Sequence, residues 1–105
     1  MATGKVSYNS SVVGAVSTGT PLKIADKNVS RSRLFFQNLS SISPIVLYFL
    51  YTVGVSPTVG TTTPAITIPA GANYESDARD VYDCRNEIWV STTGSSIGFE
   101  CQVEE

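Results

Sequence analysis

Ile97-Gly98-Phe99-Glu100-Cys101-Gln102-Val103-Glu104 alternates without a break. Ile97, Phe99, Cys101 and Val103 fall on one side of an extended chain, while Gly98, Glu100, Gln102 and Glu104 fall on the other. An eight-residue run of period two is a strand with one wet face, and it places Cys101 in a core. Working back from it, short apolar segments recur between turn residues at Glu87 to Ser91, Asn73 to Ser76, Ala65 to Ile68, Ile45 to Tyr51, Arg33 to Asn38 and Leu22 to Ala25. Seven short strands in about eighty residues predict an all-β fold, a small antiparallel β-sandwich of jelly-roll or Ig-like type. One helical turn or two is expected at Glu75 to Tyr82, where Ala78, Val81 and Tyr82 have helical spacing. Residues 1–20 are small and polar around Val12, Val13, Ala15 and Val16, and read as an extended N-terminal arm carrying at most one strand. The division expected is therefore an arm at 1–20 and a sandwich at 21–105.

Two segments break the pattern. Ile45-Val46-Leu47-Tyr48-Phe49-Leu50-Tyr51 does not alternate, so a strand there points large side chains to both faces of its sheet. One face fills the core, and the other needs cover from the arm, from another chain or from elsewhere in this one. Self-association is accordingly expected to use Ile45, Leu47, Tyr48, Phe49, Leu50 and Tyr51. Thr52 to Pro64, with its prolines and glycines, cannot be a central strand. A loop of this length in a small domain is functional or a loose tip, and this one is neutral and rich in Thr and Val.

Composition narrows the function. The 105 residues are 42% hydrophobic and only 15% charged, against about 25% charged in an average soluble protein, and a surface short of charge suits contact with other proteins. A net charge of −2 argues against a general grip on nucleic acid. Lys27, Arg31 and Arg33 are expected as a solvated turn. The apolar run at 45–51 is too short to span a bilayer, and Met1 to Lys5 lacks the apolar stretch of a secretory signal, so cytoplasmic synthesis without a membrane role is expected. Cys84 and Cys101 are then expected as free thiols.

Catalytic constellations are missing. With no histidine, Ser-His-Asp and Cys-His arrangements and the usual zinc sites are excluded. Asp77, Asp80, Asp83 and Glu87 lack the spacing of a calcium loop and are expected as solvated carboxylates. No phosphate-cradling glycine motif occurs. An enzyme, a cofactor and a resident metal are therefore not expected. Trp89 lies between Ile88 and Val90, which face the other way, so its indole is either core or a contact anchor.

The order of motifs from Arg33 onward resembles small structural proteins of tailed-bacteriophage virions, capsid decoration (cement) proteins and related minor head or tail components. It is carried by Arg33-Leu34-Phe35-Phe36-Gln37-Asn38-Leu39-Ser40, by Ile45 to Phe49, by Ile66-Thr67-Ile68-Pro69-Ala70-Gly71-Ala72-Asn73-Tyr74, and by Glu87-Ile88-Trp89-Val90-Ser91, over about seventy residues. The resemblance implies a homo-oligomer, a trimer, on the outer surface of the phage head, made in the host cytoplasm and clamping the major capsid protein. The long loop, the two-sided apolar strand and the arm depart from the pattern, and specificity is expected there. Val12, Val13 and Val16 of the arm and Val55, Val59 and Thr61 of the loop are the expected capsid contacts. The rival expectation is a neck, tail or fibre component, in its receptor-binding form stacking a glycan on Trp89 and Tyr74.

Overall fold

A computed structural model describes residues 10–17, 20–62, 64–77, 82–94 and 97–104, with the backbone alone for 10–13. Eight strands form: β1 (Ser10–Val16), β2 (Leu22–Ala25), β3 (Arg33–Asn38), β4 (Ile45–Leu50), β5 (Ala65–Ile68), β6 (Asn73–Asp77), β7 (Glu87–Thr92) and β8 (Ile97–Glu104). They make two antiparallel four-stranded sheets, ordered β1-β8-β3-β6 and β2-β7-β4-β5. The pairing is nested: β4 with β5, β3 with β6, β2 with β7 and β1 with β8, while β3·β8 and β4·β7 ladders complete the sheets.

Sequence dictates which face of each strand turns inward. In the first sheet Leu34, Phe36, Phe99 and Cys101 are buried, as are Ile45, Leu47, Phe49, Ile88 and Val90 of the second. Phe36 and Phe99 stack at 5.7 Å between centroids, and Phe49 reaches across to the edges of Tyr74 and Tyr82 at 6.3 and 5.6 Å. Each such side chain contributes roughly 1.5–3 kcal/mol by leaving water, so this interlayer core is the main stabilising element.

Three expectations change. The eighth strand lies within the stretch read as an arm, because Ser10 to Val16 pairs along β8 in unbroken register. Val16 is buried in the core. No helix occurs among the described residues; Glu75 to Asp77 continue β6, since Ser76 pairs with Leu34 and turns inward, and residues 78–81 lie outside the described residues. Arg31 is not solvated: it is 4% exposed, with its guanidinium donating to the carbonyls of Cys84, Asn86 and Asp26. A cation between strand ends is tolerated there because carbonyl oxygens replace its water.

Side-chain amides close the end that holds the β3–β4 and β5–β6 connections. Asn38 Nδ2 donates to the carbonyls of Ser43, Ile68 and Pro69, and its Oδ1 accepts the Ser40 amide. The Pro69-Ala70-Gly71-Ala72 turn closes through Ala72 N–H to Pro69 O at 3.0 Å, with Gly71 at φ +74°, a conformation glycine adopts without strain.

Candidate interaction surface

The outer face of the second sheet carries most of the features with functional content. Register places Val46, Tyr48 and Leu50 of β4 beside Ser91, Trp89 and Glu87 of β7 on this face. Tyr48 is 1% exposed and Leu50 6%, so the second face of the non-alternating strand is covered by the chain itself. Ile45, Leu47 and Phe49 fill the core on the other side. Val46 on the same face is half-buried, and of the six residues expected for self-association Tyr51, beyond the strand end, stands out into solvent while the other five are buried.

Glu87 organises this face. Its carboxylate is fully buried and accepts the Trp89 indole N–H at 2.8 Å and the Gly54 amide at 3.1 and 3.2 Å. The Lys23 ammonium stands 3.9 Å away and pairs with Asp26 at 2.8 Å, a hydrogen bond that raises the Lys23 pKa and lowers that of Asp26. Charge-assisted bonds to a buried carboxylate are among the stronger ones. Here they fasten the long loop to the sheet. Gly54 takes φ +82° to present its amide.

Beyond Gly54 the loop is built rather than loose. Pro57 is buried. Thr58 N–H donates to Thr62 Oγ1 at 2.6 Å, and Thr61 and Thr62 amides return to the Thr58 carbonyl. Leu50, Tyr51, Val55, Pro57, Thr58 and Thr62 line much of a cleft of about 280 Å³, room for a side chain or two and less than a drug-sized ligand needs. No residue from Tyr51 to Pro64 is charged. Tyr51, Val53, Val55 and Val59 are nonetheless 62, 58, 55 and 54% exposed. The segment thus combines an absence of charge and exposed apolar side chains with a backbone held at Gly54 and at Thr58 to Thr62.

The remaining expected sites disperse. Val55, Val59 and Thr61 lie exposed on this loop. Val12 and Val13 sit in β1, with side chains outside the described residues. Trp89 is half-buried on the outer face of the second sheet, whereas Tyr74 belongs to β6 of the first and packs against Phe49 and Tyr82. The two aromatic rings expected to stack a glycan therefore share no groove.

The acidic cluster also separates. Asp83 is held by Arg85, Oδ2 to Nη2 at 2.8 Å, and this hydrogen bond depresses its pKa. Asp77 ends β6, Glu87 is buried as described, and Asp80 lies outside the described residues. Among the described residues no three ligating side chains converge. Cys84 and Cys101 are buried free thiols; burial pushes them up to about 11 and about 12, respectively.

Sequence reading missed Glu87 as the loop's anchor, although it stands two residues before Trp89 and so on the same strand face. It also missed Leu39 and Ile42, which are 52 and 82% exposed in the β3–β4 connection at the opposite end of β4. Comparison with protein-family models, curated proteins and solved structures yields no match to this chain.

Proposed function

We propose that this protein is a non-catalytic virion component that adds to the outside of a tailed-phage head, as a homo-oligomer, and ties neighbouring major capsid subunits together. The observation that carries the binding part is the pinned, uncharged and apolar loop at 51–64. Contact through a loop already ordered by Glu87 avoids most of the entropy cost of fixing it on association. The motif order from Arg33 onward supplies the phage setting. The nested strand pairing supports the jelly-roll reading of the sandwich over the Ig-like one, and since that architecture serves capsid and lectin domains alike, function rests on the surface.

A protein that binds the assembled shell and not loose subunits adds its binding free energy to shell stability by linkage. The test is co-sedimentation of purified protein with expanded heads. Saturation at hundreds of copies per head, lost when Val53, Val55 and Val59 are replaced by Ser, is the expected result. Binding at only a few copies places the protein at the neck, tail or fibre instead, and no binding to any virion part overturns the reading.

A further inference from the structure

Four strands terminate the two sheets: β1 and β6 in the first, β2 and β5 in the second. Folded proteins guard such edges with charge, proline, bulges or shortness, because an open edge is a template for another strand. Three of the four are guarded. β2 is four residues long with Lys23 at an irregular register; β5 is four residues between Pro64 and Pro69; β6 carries Glu75 and Asp77. β1 is different. Its seven residues, Ser-Ser-Val-Val-Gly-Ala-Val, include no charge and no proline, and its register along β8 is continuous.

The direction of its free backbone groups follows from the ladder. Leu39 N–H donates to the Gly98 carbonyl at 3.0 Å, so Gly98 turns its peptide groups toward β3. Alternation then turns those of Phe99 toward β1, where Gly14 is its partner. Gly14 therefore faces β8, and Ser11, Val13 and Ala15 direct their N–H and C=O groups outward. Among the described residues no strand pairs with them.

We propose that β1 pairs antiparallel with β1 of a second copy about a two-fold axis at Val13, joining two four-stranded sheets into one of eight. A two-fold axis makes a strand its own complement. With Val13 at the centre, Val13 pairs with Val13 of the second copy and Ser11 with the second copy's Ala15, so all three outward-facing residues find partners. The same register sets Gly14 opposite position 12, inward-facing position against inward-facing position. Nothing charged meets like charge at any antiparallel register. A foreign strand finds no charge on β1 to orient it, which favours the self-complementary partner. The resulting two-fold pair differs from the threefold cluster implied by the phage resemblance, and it does not rest on the proposed function, since it forms or fails to form without any shell.

Sedimentation equilibrium of the full chain tests this. A species of twice the 11.2 kDa chain mass is expected. Val13→Pro and Ala15→Pro each delete a donor from the free edge alone, a place where strands tolerate proline. Each is expected to raise the dimer dissociation constant at least about tenfold while the melting temperature stays close to wild type, because symmetry removes two hydrogen bonds per change. Gly14→Pro strikes the β8 ladder and is expected to lower the melting temperature instead. A wild-type monomer at high concentration, a trimer, or a dimer indifferent to folded proline variants overturns the proposal. Should both edge prolines unfold the chain, Val13→Cys decides. Disulfide-linked dimers formed with oxidised glutathione support the two-fold pairing, and their absence rejects it.

Discussion

The two sheets treat their outer faces in opposite ways. On the first, Arg33, Phe35 and Gln37 of β3 and Gly98, Glu100, Gln102 and Glu104 of β8 are all half-buried, and polar side chains predominate. On the second, Tyr48, Leu50, Glu87 and Ser91 are buried although they too point away from the core. The difference follows from the sequence. β8 alternates and leaves its polar side in water, whereas β4 is apolar on both sides and is closed over by its own chain. Closing that face buries a carboxylate, and Glu87 is tolerated because the Gly54 amide and the Trp89 indole satisfy it. A strand without alternation thus marks a roofed sheet as readily as an oligomer contact.

The strongest test of this contrast exchanges an acid for leucine on each sheet. Glu87→Leu leaves two donors without their acceptor and is expected to cost about 2–4 kcal/mol, whereas Glu100→Leu on the other outer face should stay within about 0.5 kcal/mol. Equal shifts in the urea midpoint would dissolve the distinction. Alkali provides the next comparison, since Cys101 belongs to the first sheet and Cys84 precedes β7 of the second. Both folded thiols are raised, so their stabilising contribution is intact below the ordinary thiol pKa of about 8.5 and is lost as pH climbs toward 11 for Cys84 and 12 for Cys101. In urea midpoints measured against pH, Cys84→Ala should make that decline shallower up to about pH 11, while Cys101→Ala should make it shallower over the same range and remove what continues toward 12.

Smaller effects refine the picture of the roof. Gly54→Ala forces a Cβ into a positive-φ position and should lose about 1–2 kcal/mol, read by thermal melting. Tyr48→Phe removes the 2.8 Å contact with Ser91 Oγ and should cost about 0.5–1.5 kcal/mol. At the bottom of the scale, Val53→Ser, Val55→Ser and Val59→Ser should each move stability by less than about 0.5 kcal/mol. Their effect should appear in partner binding alone, separating what holds the loop from what the loop holds.

Period-two alternation located β8 and the buried face of Cys101 because one side of that strand is wet and the other dry. Turn residues delimited β2 to β7 closely for the same reason: Pro69 and Gly71 impose a reversal that few other residues allow. Such signals are local. β1 was obscured because Ser, Gly and Ala dilute its pattern, and only pairing with β8, some ninety residues away in sequence, makes it a strand. The helical turn expected at Glu75 to Tyr82 gives way at Glu75 to Asp77, where pairing with β3 holds the chain extended, while Ala78 and Val81, which carry the helical spacing, lie outside the described residues. For the surface, the unusual loop was visible from its prolines and missing charges, but Glu87 and Arg31 looked like ordinary solvated ions. Their burial depends on Gly54 in one case and on three carbonyls in the other, and no local spacing announces either.

Nested pairing also sets the order in which this molecule can assemble itself. Among strands that pair, β4 and β5 lie nearest in sequence, yet fourteen residues separate them, so even the innermost ladder begins with a sizeable loop to close. Each further ladder encloses the one before it, ending with β1 against β8. A chain whose contacts are this distant belongs with domains that take milliseconds to seconds to fold. Until β1 docks, β8 is left as an open edge beside β3, and the outermost pair closes that side of the sheet.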